Sequence, residues 1–349
     1  MGGLEHKVRE GALIRLTGEK ETLTSWGEVA PLPGFSYESL GETKAQLLSL
    51  RAVVQDNPLP NTDELVQLNG AFEAWLGSYQ LFPSVRFGIE TAILRLLACE
   101  RQVPLRSLIS TKTTDKVLVC ALLSGTNEEI LEKAGMIRAS GFKAVKLKIG
   151  RQDIEADVEL VHNVRKQIGK RMALRLDANR AWKVEQATTF MDRVQDCNIE
   201  YIEEPAEDFL GILQLCNRAS KSIPIALDES LGSITTLDPL PGVEAIVLKP
   251  TLLGLERSVQ LARRAAELGM KAVMSSSFES GIGLHTLVEL AAGLKEGPMV
   301  PVGLDTANSL AYDIAHIPLK IVRGRIDLTD KPVSNPQPRL ELLEEVSDA

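Results

Sequence analysis

Imidazoles and thiols are scarce in this chain, and what there is does not pair. The four histidines, His6, His162, His285 and His316, are scattered without helical spacing, so a zinc site built on imidazoles has no support. The four cysteines, Cys99, Cys120, Cys197 and Cys216, lie far apart and form no CxxC pair, which argues against a disulfide framework or zinc knuckle and for a reducing compartment. No stretch is apolar for long enough to span a bilayer, and the opening MGGLEHKVRE lacks the hydrophobic core of a secretion signal. A cytoplasmic protein is therefore expected. A long basic run is missing too. With a formal charge of -8 and a pI near 5.3, there is no electrostatic reason to expect nucleic acid or an anionic membrane as partner. The expected partner is a small molecule, an oligomer is compatible with the composition, and any metal must be held by oxygen.

What the chain does have is a rhythm. From about residue 117, short aliphatic runs alternate with polar turns and amphipathic stretches. The runs occupy 117–123, 144–148, 173–177, 199–203, 224–228, 245–249, 272–276 and 300–304, with successive starts 21 to 29 residues apart. That is room for strand, loop and helix, and the segments 129–139 and 256–268 carry apolar residues at helical spacing. Eight such units, with no GxGxxG after the first, predict a closed parallel barrel over 116–305 rather than an open doubly wound sheet. The first 115 residues read differently: a strand at 12–17, a proline and glycine loop at 31–34, and helices at 43–54 and 84–100. They predict an α+β cap, to which an irregular segment from about 306 to 349, with a short strand at 318–322, returns.

Barrel enzymes carry their chemistry at the C-terminal ends of strands. Asp177, Glu203 and Asp228 end three successive runs, spaced by 26 and 25 residues, and should meet at one mouth. Three carboxylates about 4 Å apart repel by roughly 4 kcal/mol per pair at an effective dielectric near 20. A hard divalent cation compensates that repulsion, and Mg²⁺ with about six oxygen ligands would leave positions for water and an anionic substrate. Lys146 and Lys148 share one face of their strand, and Val145 and Leu147 claim the helix side, so both lysines point into the barrel. Lys249 ends a strand on the far side. A lysine can act as a general base only if its pKa falls well below about 10.4, which a nearby cation favours.

KLK at 146–148, LDAN at 176–179, IEEP at 202–205, LDES at 227–230 and LKP at 248–250 resemble the signature of the enolase superfamily, muconate-lactonizing subgroup. GEVAPLPGFS at 27–36, PSVRFGIETA at 83–92, SSSFESGIG at 275–283 and GLDT at 303–306 resemble, within it, the o-succinylbenzoate synthase family. The resemblance implies a modified TIM barrel, (β/α)7β, with an N-terminal α+β capping domain. It implies Mg²⁺, with Mn²⁺ able to substitute, on Asp177, Glu203 and Asp228. It implies Lys148 as the acid and base of a syn dehydration of 2-succinyl-6-hydroxy-2,4-cyclohexadiene-1-carboxylate, in menaquinone or phylloquinone synthesis. Lys249 would then face the other side of the ring as a cation against its π system, and Lys146 would help depress the pKa of Lys148. Pro33 and Phe35 fall in a loop similar to the family's mobile lid. Ser275, Ser276, Ser277 and Gly281 offer small side chains and free backbone N–H groups for the succinyl carboxylate. Asn179, Glu204 and Glu229 adjoin the ligands and would support them, while Trp182 reads as packing. The resemblance also implies a further strand ahead of 12–17, for which this chain has almost no residues.

Two other reactions fit the same residues. N-acylamino acid racemisation or dipeptide epimerisation needs a lysine on each face of the substrate, as Lys148 and Lys249 provide. A Schiff-base barrel would use a lysine without a metal.

Overall fold

Strands rich in Val, Ile and Leu that are buried on both faces belong in a parallel sheet covered by helices, and that sheet is the centre of the molecule. The computed structural model describes residues 8–18, 23–56, 59–217, 223–294, 300–306, 309–329 and 335–345. Of the region expected to hold a strand ahead of residue 12, residues 1–7 fall outside them. Seven parallel strands, β4 (Cys120–Leu123), β5 (Ala144–Lys148), β6 (Ala173–Asp177), β7 (Ile199–Glu203), β8 (Ile225–Leu227), β9 (Val243–Leu248) and β10 (Lys271–Met274), lie side by side in chain order. The helices α6 (Asn127–Ala139), α7 (Ile154–Ile168), α8 (Val184–Val194), α9 (Phe209–Asn217), α10 (Pro250–Leu253), α11 (Leu255–Glu267) and α12 (Gly281–Gly293) supply the crossovers and the final cover. Among the described residues, no helix is long and apolar enough to cross a membrane.

The expected eighth strand at 300–304 does not form a ladder, and this corrects the sequence reading. Pro301 has no N–H to give, and each flank is held by two bonds only. Val302 exchanges bonds with Cys120 and Leu118, both 2.8 Å, while Gly303 N–H donates to Met274 O at 2.8 Å and Gly303 O accepts from Ser276 N–H at 3.0 Å. The segment nonetheless joins the first strand to the seventh. The run expected over 117–123 divides at Val119. Its first part, β3 (Lys116–Leu118), pairs antiparallel with β11 (Arg325–Asp327) instead of entering the barrel. The short strand expected at 318–322 is absent; Val322 makes a single bridge to Arg325, and the strand comes just after it.

Upstream, β1 (Ala12–Thr17) pairs antiparallel with β2 (Thr24–Val29), a strand the sequence reading missed. The helices α1 (Leu40–Asp56), α2 (Thr62–Leu65), α3 (Ala71–Leu76), α4 (Pro83–Glu100) and α5 (Leu105–Ile109) follow. The central α4 crosses β2 so closely that a Cβ on Gly27 would stand 1.8 Å from the carbonyl oxygen of Gly88. Only glycine permits that approach.

Buried carboxylates tie these upstream elements to the barrel helices. Glu90 on α4 accepts from Leu255 N–H and Glu256 N–H at 2.7 and 3.0 Å, at the start of α11. Glu256 answers by accepting from the backbone N–H groups of Gly70, Phe72 and Glu73. Glu28 on β2 accepts from Ser280 and Gly283 at the start of α12. Each carboxylate meets helix N–H donors that would otherwise lack partners.

The cost of these locks is burial of charge. Desolvation pushes Glu90 up to about 7, against the opposing pull of Arg86. A folded-state value raised above the unfolded one gives stability that is fully present below the unfolded pKa and lost as pH rises through the folded value. The window runs from about 4.5 to about 7. Glu90→Gln keeps an oxygen for the two N–H donors but cannot ionise. Urea unfolding should therefore show the wild type losing ground to Glu90→Gln between pH 4.5 and 8, by on the order of 2 to 3 kcal/mol. A difference that stays constant with pH would contradict the lock.

Candidate active site

Register alone brings the charged residues together. Lys148 is level with Asp177, and Asp177 with Glu203, across the adjacent ladders of β5, β6 and β7. Asp228 follows directly on β8. Val145 and Leu147 are fully buried on the helix side, so Lys146 and Lys148 point inward as expected from their spacing. Lys249 follows β9, whose place in the sheet is four strands from β5.

The side chains form a row of ion pairs in two adjoining groups. Lys148 Nζ donates to Asp177 Oδ2 at 2.6 Å and to Asn179 Oδ1 at 2.5 Å. Lys146 Nζ lies 2.8 Å from Asp177 Oδ2 and 2.7 Å from Glu203 Oε1. Lys249 donates to Asp228. Lys146 stands equally near Glu203 Oε2, but that approach is not angled as a hydrogen bond, so this buried oxygen is left without one. Glu229 Oε2 is a second buried carboxylate oxygen without a partner among the described residues.

Asp177, Glu203 and Asp228 are all buried, and they respond differently to it. Burial favours the neutral form of Asp177, yet the ammonium groups of Lys146 and Lys148 outweigh it and hold this carboxyl well below the usual range. Glu203 goes the other way, pushed up to about 8 by burial and by the charge of Asp177. Asp228 is raised by burial in spite of Lys249. Burial would lower Lys146 and Lys249, but the carboxylates around them hold both above the ordinary lysine value. The cluster thus carries more negative charge than its lysines balance comfortably.

In this structure ammonium groups, not a shared ion, lie against the three carboxylates. Lys146 sits between Asp177 and Glu203, and Lys249 holds Asp228. Sharing one ion requires the carboxylates to turn from these ammonium groups toward each other. The donor chemistry fits such an ion: hard oxygens only, one of them, Glu203 Oε2, buried without a hydrogen bond.

Asn179, Glu204 and Glu229 lie against these charged groups and each other's neighbours. Asn179 bridges Lys148 to Glu229, donating from Nδ2 to Glu229 Oε1 at 3.2 Å. Glu204 accepts from Asp228 N–H and Ser230 N–H, both 2.8 Å, and from the Ser230 hydroxyl. Arg180 joins Glu204 to Ser230. It was missed because its role depends on backbone geometry: Asn179, Arg180 and Glu204 all adopt positive φ, at 43°, 60° and 43°, a strained conformation that concentrates at functional sites. Trp182 packs against Phe190, 4.5 Å between ring centroids.

The loop readings divide. Phe35, half exposed, lies 5.6 Å from Lys249 Nζ, so the loop carrying Pro33 and Phe35 reaches the site. The expected free N–H groups at 275–281 are a correction. Ser275 N–H donates to Leu248 O, Ser276 N–H to Gly303 O, Ser277 N–H to Glu279 Oε2 and Gly281 N–H to Asp313 Oδ1. Closing the barrel and starting α12 consume all four donors. What remains at this position is the buried Ser277 hydroxyl, which has no partner among the described residues.

Comparison with known proteins follows the same outline. Residues 129–332 match the family model described as enolase C-terminal domain-like, and residues 3–96 match that of the MenC N-terminal domain. The o-succinylbenzoate synthase of Aliivibrio fischeri (strain MJ11) is 33% identical over 86% of this chain and 83% of its own. The chloroplastic protein PHYLLO of Arabidopsis thaliana is 32% identical over 90% of this chain, which spans 20% of that much longer protein. A dipeptide epimerase structure from Enterococcus faecalis V583 superposes with a TM-score of 0.80 over 94% of both chains, at 21% identity. At that identity the likeness concerns the fold.

A hard divalent cation that binds this donor set should stabilise the fold, by about 2.7 kcal/mol at 100 times its Kd. Thermal unfolding with and without the cation checks this, and Glu203→Gln should abolish the gain. An equal gain in Glu203→Gln would place the ion elsewhere.

Proposed function

Since the chain belongs to the o-succinylbenzoate synthase family of the enolase superfamily, we propose that it dehydrates 2-succinyl-6-hydroxy-2,4-cyclohexadiene-1-carboxylate to o-succinylbenzoate with Lys148 moving the proton. It is a metal-dependent hydro-lyase acting on a small carboxylate. Residues 1–115 with 306–349 are assigned to the cap and 116–305 to the barrel. The metal is assigned as Mg²⁺, with Mn²⁺ able to replace it, held by Asp177, Glu203 and Asp228. When bound, it supplies positive charge against which the substrate carboxylate can become more electron-rich as its α-proton leaves. Four cysteines without a disulfide fit a cytoplasmic location.

The observation that carries the choice of Lys148 is exposure within the row. Its side chain is 29% exposed, against 15% for Lys146 and 12% for Lys249, so it is the ammonium group that a substrate entering at the mouth can reach. In its neutral form it accepts the proton from the ring carbon bearing the carboxylate. It then returns a proton, on the same face, to the departing hydroxyl, and water leaves as the ring becomes aromatic. One residue serving both steps makes the elimination syn. Asn179 and Asp177 fix where Nζ points. Lys249 faces the ring from the other side, where its cation favours the electron-rich intermediate, and Phe35 closes over it to exclude water. Lys146 stays with the carboxylates.

Following aromatic product by its ultraviolet absorbance, Lys148→Ala should lower kcat by at least ~10²- to 10⁴-fold while the thermal midpoint stays near that of the wild type. Removing metal with EDTA should abolish turnover, and Mg²⁺ should restore it. Negligible turnover of the cyclohexadiene acid beside fast racemisation of an N-succinylamino acid would assign the site to the other reaction.

A further inference from the structure

Away from the barrel mouth, one group of three potential metal-ligating side chains converges among the described residues. We propose that His162, Asp196 and Cys197 form a three-ligand site for a borderline-soft divalent transition ion, with Zn²⁺ as the type. His162 lies on α7, while Asp196 and Cys197 sit in the 3-10 turn Gln195–Cys197 that leads into β7. Glu203 ends that same strand, so the group stands at the opposite end of the barrel from the mouth, roughly 20 Å away along an extended strand.

The geometry is that of a prepared site. Cys197 Sγ is 3.3 Å from His162 Nδ1 and 3.8 Å from Asp196 Oδ1, and one candidate ligand atom from each residue falls within 4.8 Å of the others. Bonds of about 2.3 Å to sulfur and 2.0 Å to nitrogen at a tetrahedral angle would separate S and N by about 3.5 Å. His162 Nε2 lies 3.2 Å from Arg193 O. A hydrogen bond there places the proton on Nε2 and leaves the Nδ1 lone pair facing the sulfur, as the outer partner of a ligating histidine does. The ion has a route in: the Asp196 and His162 side chains are 75% and 42% exposed, while Cys197 is buried beneath them.

Charge agrees. A thiolate, a carboxylate and a neutral imidazole neutralise a divalent cation. The nearby Arg165 does not compete, because its guanidinium is spent on the carbonyls of Cys197, Gly169, Met172 and Asn198, which fixes the turn. Burial first, then Asp196, pushes the thiol up to about 11, so at neutral pH the cysteine is no free nucleophile. Binding displaces the thiol proton to solvent, and the ion takes its place between S and N. Three protein ligands leave a fourth position to water or an exogenous donor.

The probe is Co²⁺ titrated into the full chain in excess Mg²⁺, so that the barrel carboxylates are already served. A near-ultraviolet sulfur-to-cobalt charge-transfer band should grow to one equivalent and release one proton. It should vanish in Cys197→Ser, and in His162→Ala half-saturation should need at least ten-fold more Co²⁺, while Mg²⁺-dependent turnover stays as in the wild type. Asp196→Asn, at an exposed position, separates loss of a ligand from loss of fold and should weaken the band's affinity without moving the thermal midpoint. Three results would overturn the site: no sulfur band, a band of full intensity in Cys197→Ser, or Co²⁺ binding lost in Asp228→Asn and unchanged in Cys197→Ser.

Discussion

Burying three carboxylates in one place is costly, and the molecule is organised around that cost. Desolvation raises each of them, and proximity of Asp177 raises Glu203 further. Only positive charge in direct contact holds such a group in its ionised form. The chain provides it with Lys146 and Lys148, on inward-facing positions of β5, and with Lys249, just after β9. Because the same carboxylates are the natural ligands of a hard cation, lysine and metal compete for them. That competition explains why Lys146 lies between Asp177 and Glu203 and why Lys249 holds Asp228. The lysines also differ in exposure: Lys146 and Lys249 are the deeper pair, and Lys148, the most exposed, is the one proposed above to move the proton.

Most of the barrel was legible because its signals are local. Period-two alternation fixed the direction of Lys146 and Lys148, and the strand-to-strand spacing aligned Asp177, Glu203 and Asp228, since one strand, loop and helix return the chain to the same height. These relations need no knowledge of distant contacts. Asn179, Glu204 and Glu229 were legible for a related reason, each lying next to or two residues from a ligand.

What could not be read depends on partners far away in sequence. Glu28, Glu90 and Glu256 look like ordinary surface acids in the chain, yet each accepts hydrogen bonds from N–H groups up to 255 residues distant. The N–H groups at 275–281 looked free because nothing nearby shows that Asp313 and the 300–304 segment claim them. β2 was overlooked because Gly27 lowers its strand propensity, while its actual purpose is to admit the backbone of α4. The His162, Asp196 and Cys197 group escaped a search by motif since its members come from two elements 34 to 35 residues apart.

The central claim is that Asp177, Glu203 and Asp228 give up their lysines to hold one metal ion beside Lys148. A crystal structure with Mn²⁺ and o-succinylbenzoate, located by anomalous scattering, addresses it directly. The account predicts one manganese bound by an oxygen from each of the three acids, Lys146 displaced from between them, and Lys148 Nζ nearest the ring carbon that bears the carboxylate. Manganese that binds fewer than three of these acids, or product with Lys148 turned away from the ring, would contradict it.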